Sequence, residues 1–323
     1  MIPGYGNHIG CDSHPANGHI MTLLAVTVAE KGRNAPQPNY CLLPMQSHIL
    51  KKLLLNLLAC LFAGWFLLSL SYAESSDMPG GQAEPEDAQI IFNRAVALEN
   101  GIGMEADPAS ARELYLHAAG LGLSAARYNL GMMYQLGDGV AVDGTLARWW
   151  LQKAADQGHA LAQYNLGVIY GEGLAVAPDP VQAAHWYQLA AEQGIASAQY
   201  NLARSYAKGS GVAGDMMEAI RWYRQAANQG HRAAQYSLAL VYDHGADGAA
   251  DPYEAVRWYQ RAAAQGHVLA QYNLAVAYES GIGIARDMAQ AVQWYQRAAD
   301  GGNIDAMEIL QQLAPEPVFP EGP

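Results

Sequence analysis

Cysteine is scarce in this sequence. Its three cysteines, Cys11, Cys41 and Cys60, all lie in the first fifth of the 323-residue chain. Because disulfides and thiolate-based metal sites both need cysteine sulfur, neither can form in the rest of the chain. A stable fold in that larger part must therefore depend on its hydrophobic core.

Basic residues are also few. Lysine and arginine together number 18 against 30 aspartates and glutamates, which gives a net charge of −12. This balance argues against a general nucleic-acid binder, since such proteins carry a basic stripe. Charged residues make up only 15% of the chain and hydrophobic residues 51%. That composition excludes a wholly disordered chain.

Long apolar runs are confined to one segment, residues 53–70. Lys51 and Lys52 precede this run and Ser71-Tyr72-Ala73 follows it. Positive charge, an apolar run and a small-x-small site are typical of a secretory signal peptide, here with cleavage after Ala73. An uncleaved inner-membrane anchor formed by residues 53–70 is the alternative. The chain is thus predicted to be exported, and to be periplasmic or secreted.

The N-terminal 44 residues show no periodicity of their own. Met45 would begin an ordinary signal peptide, spanning residues 45–73. We therefore hypothesise that Met45 is the true start and that residues 1–44 are a doubtful upstream extension. Residues 74–87 are predicted to form a polar linker.

A 36-residue repeat occupies most of the remaining chain. Tyr128-Asn129-Leu130 recurs at this spacing without insertion, and a divergent copy begins at Phe92. Self-similarity at such a period indicates a repeat architecture. We divide residues 88–303 into six repeats, followed by a C-terminal capping helix at 304–314 and a Pro-rich tail at 315–323 that is predicted to be disordered. The repeats begin at Ala88, Ser124, Ala160, Ala196, Arg232 and Val268.

Each repeat is predicted to contain two helices, called A and B. In the second repeat, apolar residues at helical spacing predict helix A over Ser124–Leu136 and helix B from Gly144 to about Gln157. Asp143 stands where an N-cap is expected, and Gly158 where a left-handed helix end is expected. One such pair cannot bury its apolar face alone, so the pairs must stack. The tryptophans of helix B are predicted to form the structural core of this stack: Trp150, Trp186, Trp222, Trp258 and Trp294.

The string AQYNLGVIYGEG…DPVQAAHWYQLAAEQG closely resembles the Sel-1-like repeat, a relative of the tetratricopeptide repeat. The resemblance covers residues 88–310 and implies an all-α fold, a right-handed α/α superhelical solenoid with a concave face lined by the A helices. Members of the family are mostly adaptors that hold other proteins together, and bacterial examples are often exported. Cysteine-rich relatives have been linked to β-lactam binding or hydrolysis, but the repeats here contain no cysteine.

A second stripe of helix A is the candidate partner-binding surface. Tyrosines one repeat apart would form a ladder along the concave face, and tyrosine and arginine are favoured interface anchors. The alternative is that each tyrosine only packs between neighbouring helices. The predicted partner-binding residues are Tyr128, Tyr164, Glu172, Tyr200, Arg204, Lys208, Tyr236, Asp243, His244, Tyr272 and Glu279.

Catalytic and metal-binding patterns are lacking. The sequence contains no GxxxxGK[ST], GxSxG or HExxH motif. His159, His231 and His267 occur once per repeat and cannot close a zinc site, so we interpret them as surface residues. We predict no catalytic residue, no metal and no cofactor.

The sequence therefore predicts a non-catalytic scaffold of the bacterial envelope or secreted space. Its concave face would bind a partner protein through an extended peptide or helix, without contact to nucleic acid. The alternatives are an envelope enzyme akin to the cysteine-rich relatives and a glycan- or peptidoglycan-binding module.

Overall fold

The computed structural model describes residues 87–245 and 250–313. The predicted signal peptide, the upstream extension, most of the linker and the tail lie outside these residues. Within the described ranges the chain forms thirteen α-helices and no β-strand. The helices are α1 (Ala88–Asn100), α2 (Pro108–Gly120), α3 (Ser124–Leu136), α4 (Gly144–Ala155), α5 (Ala160–Glu172), α6 (Pro180–Glu192), α7 (Ala196–Lys208), α8 (Met216–Asn228), α9 (Arg232–His244), α10 (Pro252–Ala264), α11 (Val268–Ser280), α12 (Met288–Asp300) and α13 (Ile304–Leu313).

Helices pack in chain order, which confirms the predicted all-α solenoid. The odd-numbered helices α1 to α11 are the A helices of the six repeats and the even-numbered helices are the B helices. Each A helix packs most extensively on the B helix of its own repeat, and each B helix packs on the next A helix. The A helices α5 and α7 also contact each other directly. Helix α13 packs on α12 and is the last helix of the residues that the structure describes.

The helix ends follow the predicted capping residues. Asp143 accepts hydrogen bonds at 2.9 Å from the backbone N–H groups of Thr145 and Leu146, and aspartates cap the other five B helices in the same way. Such a cap contributes about 1 kcal/mol relative to alanine. Helix α4 ends at Ala155 rather than Gln157, because Gln157 and Gly158 bond three residues back instead of four. Gly158 has a φ of 82°, as expected for a left-handed turn.

The three recurring histidines differ from their predicted surface role. His159, His231 and His267 are partly buried, and each Nδ1 accepts a hydrogen bond from a backbone N–H in the first turn of the next A helix. Each imidazole also stacks on the tyrosine of the preceding A helix, with ring centroids 4.3–4.8 Å apart. These residues are therefore joints between successive repeats. Burial lowers the pKa of His231, and the neighbouring Arg232 lowers it further.

Successive repeats meet closely where the loop of one repeat lies over the first turn of the previous B helix. A Cβ built on Gly211 would lie 1.9 Å from the carbonyl oxygen of Pro180, so this loop position needs glycine. In the third repeat the same position is Ala175, which has a φ of 59°. Ala175 fits because it faces Gly144, where a Cβ would lie 2.7 Å from the Ala175 Cβ. The two residues are thus matched in size.

Candidate functional site

The candidate site is the surface formed by the A helices, here called the A-helix face. Its five tyrosines pack more deeply than a simple exposed ladder would require. Tyr128 is only 5% exposed, and the other four are partly buried. Four of them contact the tyrosine of helix B in their own repeat, with ring centroids 5.8–6.2 Å apart. These pairs are Tyr164–Tyr187, Tyr200–Tyr223, Tyr236–Tyr259 and Tyr272–Tyr295.

Hydroxyl groups of this face are directed to polar residues of the next A helix. The Tyr128 hydroxyl has Asn165 as a hydrogen-bond partner, and the Tyr164 hydroxyl has Ser197. Burial raises the pKa of Tyr128 to about 12, while the Asn165 contact opposes the rise. The packing alternative therefore accounts for much of the tyrosine ladder, and contact with a partner stays a prediction for these rings.

A glutamine ladder, which the helical stripes of the sequence did not indicate, lies behind the tyrosines. Gln199 is buried, and its Nε2 donates to the carbonyl of Ala191 at 3.1 Å. Its Oε1 accepts from Gln229, which belongs to the turn before the next repeat, at 2.8 Å. The same bonds recur around Gln163 and Gln235. Because buried amides need partners, this ladder satisfies polar groups at the junctions joined by Gln163, Gln199 and Gln235.

Carboxylates near the end of three A helices bind tyrosine hydroxyls of helix B. Tyr115 donates to Glu99 at 2.6 Å, and Tyr259 donates to Asp243 at 3.1 Å. Tyr295 donates to Glu279 at 2.6 Å. Burial raises the pKa of Tyr115 and Tyr259, and the neighbouring carboxylates add to the rise. Asp243 and Glu279, which are predicted partner-binding residues, therefore each hold a hydrogen bond within the chain.

The third and fourth repeats keep the tyrosine but lack the carboxylate. Gly171 and Ala207 occupy the position of Glu99, Asp243 and Glu279, which recurs every 36 residues. A Cβ on Gly171 would lie 3.3 Å from the Tyr187 hydroxyl, so this position is adjacent to the phenol. Tyr187 and Tyr223 are 8% and 7% exposed, whereas the three carboxylate-bound tyrosines are 0–2% exposed.

Arg204 supplies a positive charge beside these two phenols. It is exposed on α7, and its guanidinium lies 5.7 Å from the centroid of the Tyr200 ring. Burial raises the pKa of both Tyr187 and Tyr223, and the charge of Arg204 opposes the rise in both. We call Gly171, Tyr187, Arg204, Ala207 and Tyr223 the central patch.

The other predicted charged residues lie at the helix ends of the A-helix face. Glu172, Lys208 and His244 are the last residues of α5, α7 and α9, and all three are exposed. The His244 Nδ1 lies 2.8 Å from the carbonyl oxygen of Leu240. The charge at this position thus changes from one repeat to the next, while the residues that build the repeat stay the same.

The tryptophans of helix B form a core that is less uniform than predicted. Trp186, Trp222 and Trp258 are buried. Trp150 and Trp294 are only partly buried, so the predicted core role is corrected for these two. Within the described residues, only the single helix α13 follows the repeat of Trp294, so less structure covers the outer side of this ring. Arginines lie over the rings of Trp222, Trp258 and Trp294, 4.1–4.4 Å from the centroids.

Comparison with known families matches this geometry to one repeat type. The Sel1 repeat matches residues 91–123, 124–159, 160–195, 196–231, 232–267 and 268–303. The chain belongs to the Sel1 repeat family. Sel1 repeat proteins are generally non-catalytic scaffolds that mediate protein–protein interaction. The predicted repeat boundaries agree with the matched segments in the second to sixth repeats.

Two solved Sel1 repeat structures are similar to this chain. A protective antigen of uropathogenic Escherichia coli, with an SLR fold, is 34% identical over 71% of this chain, with a TM-score of 0.68. The match covers 50% of the antigen, so the present chain spans about half its length. A Sel1 repeat protein from Oxalobacter formigenes is 33% identical over 70% of this chain and 91% of its own, with a TM-score of 0.63. No protein of curated function matches the sequence.

The described part of this Sel1 repeat protein has few features that point to other chemistry. Within residues 87–245 and 250–313, no group of three or more histidine, cysteine, aspartate or glutamate side chains is arranged to hold a metal ion. None of the helices described is both long and apolar enough to cross a membrane. An open cavity of about 400 Å³ lies beside Trp149, which is 48% exposed, and Lys153 and Arg127 line it as well.

Proposed function

We propose that this Sel1 repeat protein is an exported, non-catalytic scaffold that binds a partner polypeptide along its A-helix face. The family supports the general role of protein–protein interaction. The specific face and the export are our proposals, and export is supported by the sequence of residues 45–73.

The A-helix face is proposed as the binding surface because its exposed residues vary in charge from repeat to repeat. The tyrosines, glutamines and small residues that join the repeats recur with little change, whereas the exposed residues of the A helices change in charge. Glu172, Lys208 and His244 occupy one recurring position, and Arg204 is the only charged residue at its own position in the six repeats. A surface whose scaffold is constant and whose exposed residues vary can recognise a specific extended segment, as solenoid surfaces do.

Site-specific photo-crosslinking in cells tests this proposal. A crosslinking amino acid is placed at Glu172 or Lys208 on the A-helix face, and at Gln182 or Arg257 on the B helices as matched exposed controls. We expect a discrete crosslinked polypeptide in the envelope or medium fraction from the A-helix positions only. The mass of the recovered chain should correspond to a start at Glu74, as cleavage after Ala73 requires.

Charge reversal adds a second readout in the same experiment. Arg204→Glu should weaken the crosslink from Glu172, because it inverts the charge next to the central patch. Arg257→Glu reverses another exposed arginine, which pairs with Glu254 on the B-helix surface, where ion pairs contribute little. Crosslinks from the B helices alone would overturn the choice of face. Absence of a crosslinked polypeptide from either face would overturn the proposal and favour glycan binding, with the cavity beside Trp149 as its place.

A further inference from the structure

The central patch differs from the rest of the A-helix face because its helix-B tyrosines have no carboxylate partner. In the first, fifth and sixth repeats, a helix-B tyrosine donates its hydroxyl hydrogen to a carboxylate near the end of helix A, at 2.6–3.1 Å. The second repeat has neither partner, since Gln135 and Leu151 occupy the two positions. Only the third and fourth repeats retain the tyrosine without its carboxylate.

The hydroxyl groups of Tyr187 and Tyr223 have no helix-A carboxylate to which they can donate a hydrogen bond. The hydroxyls of Tyr187 and Tyr223 have Asn201 and Ser237 as hydrogen-bond partners on the next A helix. Tyr115 and Tyr259 make the equivalent contact with Asn129 and Asn273, and in addition donate to a carboxylate. The hydrogen bond to a carboxylate is thus the one that Tyr187 and Tyr223 lack, because Gly171 and Ala207 have no acceptor group in their side chains.

Charge at the central patch favours an anion. Arg204 acts on both phenols, and its counterparts in the other repeats are the apolar residues Val96, Met132, Val168, Leu240 and Val276. Lys208 follows one helical turn later on α7. Glu172 is the opposing charge, and it acts on Tyr187 through its field. Hydrogen bonds from an arginine or a phenol to a carboxylate are among the stronger ones that proteins form.

We propose that the central patch binds an aspartate or glutamate side chain of the partner polypeptide. This carboxylate would take the place that Glu99, Asp243 and Glu279 fill within the chain, and would accept hydrogen bonds from Tyr223 and from Arg204. An acidic side chain, rather than a chain terminus, is favoured because every internal example is an acidic side chain. The inference rests on the proposed function, since it names the chemistry of the segment that the A-helix face binds.

A defined peptide tests the inference directly. The probe is a labelled peptide of alternating glutamate and glycine with blocked ends, and the control is the same peptide with glutamine in place of glutamate. We expect fluorescence anisotropy to show binding of the glutamate peptide, at least about tenfold weaker binding of the glutamine peptide, and weakening by salt. Arg204→Gln should weaken the glutamate peptide by about tenfold or more, while Arg257→Gln should leave it unchanged.

A second variant restores the missing internal carboxylate. Ala207→Glu creates in the fourth repeat the arrangement of Asp243 with Tyr259, so the new side chain should accept from Tyr223 and displace the peptide. Ala207→Gln adds the same volume without the charge and should retain most of the binding. Circular dichroism and thermal unfolding establish that both variants fold.

The outcomes separate this inference from the proposed function. Equal binding of both peptides, or unchanged binding by Ala207→Glu, would overturn the inference. If neither peptide binds while the crosslinks from Glu172 and Lys208 are intact, the inference alone is overturned. Loss of those crosslinks would overturn the proposed function itself.

Discussion

The two faces of the solenoid have opposite patterns of exposure. On the B helices, the tryptophans in the middle are buried between two neighbours, while Trp150 and Trp294 towards the ends are only partly covered. Where the B helices meet the A-helix face, the tyrosines towards the ends donate to A-helix carboxylates, while Tyr187 and Tyr223 in the middle have no such carboxylate. The tryptophans and tyrosines thus recur at fixed positions of the repeat, while the burial and the hydrogen bonds of each one depend on its position in the stack.

Replacing a buried tryptophan should have the largest effect on the free energy of unfolding. Trp222→Ala should lower the free energy of unfolding by about 3–5 kcal/mol, because the ring is buried between two repeats. Trp294→Ala should cost clearly less, since its ring is partly exposed already. Chemical denaturation followed by circular dichroism measures both. Equal losses would contradict the difference between the middle and the end of the stack.

The glutamine ladder provides an intermediate effect. Gln199→Ala removes the hydrogen bonds of Gln199 with the Ala191 carbonyl and the Gln229 amide, and each such bond contributes about 0.5–1.5 kcal/mol. Gln271 bonds the carbonyl of Ala263, but Gly301 stands where the next ladder glutamine would be. Gln271→Ala should therefore lower the denaturation midpoint less than Gln199→Ala does. The reverse order would show that the ladder does not stabilise the junctions.

The smallest expected effect concerns the Tyr223 hydroxyl, whose contribution to the free energy of unfolding changes only at alkaline pH. Burial raises the pKa of Tyr223 from 10.0 to about 12. The phenol of Tyr223 therefore loses its proton at a lower pH in the unfolded chain than in the folded chain. The contribution of the protonated phenol to the free energy of unfolding is complete below pH 10 and is lost as the pH rises towards 12. Tyr223→Phe should reduce the fall of the unfolding free energy in that range. Phenolate absorbance of the folded protein checks the ionisation, and an unchanged alkaline profile in the variant would contradict the assignment.

Much of the fold could be predicted because it is local. Asp143 and its counterparts cap helices through bonds to residues two or three positions away, and the left-handed glycines act on their own backbone. The 36-residue period then places each predicted helix in the stack. These features depend on short-range geometry that the sequence displays directly.

The candidate site was harder to predict because it depends on contacts between neighbouring helices. Gln163 is a polar residue that recurs beside a tyrosine, and nothing local indicates that it bonds Gln193 across a repeat junction. The pairing becomes visible only as a second recurrence, thirty positions later, in Gln193, Gln229 and Gln265. Asp243 was predicted to face a partner because the helical stripe alone does not show that Tyr259 of helix B reaches it.

The size match between Gly144 and Ala175 limits how this array can be rearranged. Recombination between similar repeats would duplicate or delete whole 36-residue units, and the sequence alone makes all units look interchangeable. If the third repeat were duplicated in tandem, the counterpart of Ala175 in the second copy would lie over Pro180 of the original copy. Only glycine fits that position at the present spacing. The fourth repeat carries Gly211 there and meets no such obstacle. Lengthening of this protein by natural duplication or by engineering should therefore begin from the fourth repeat, while the third remains tied to the neighbour that precedes it.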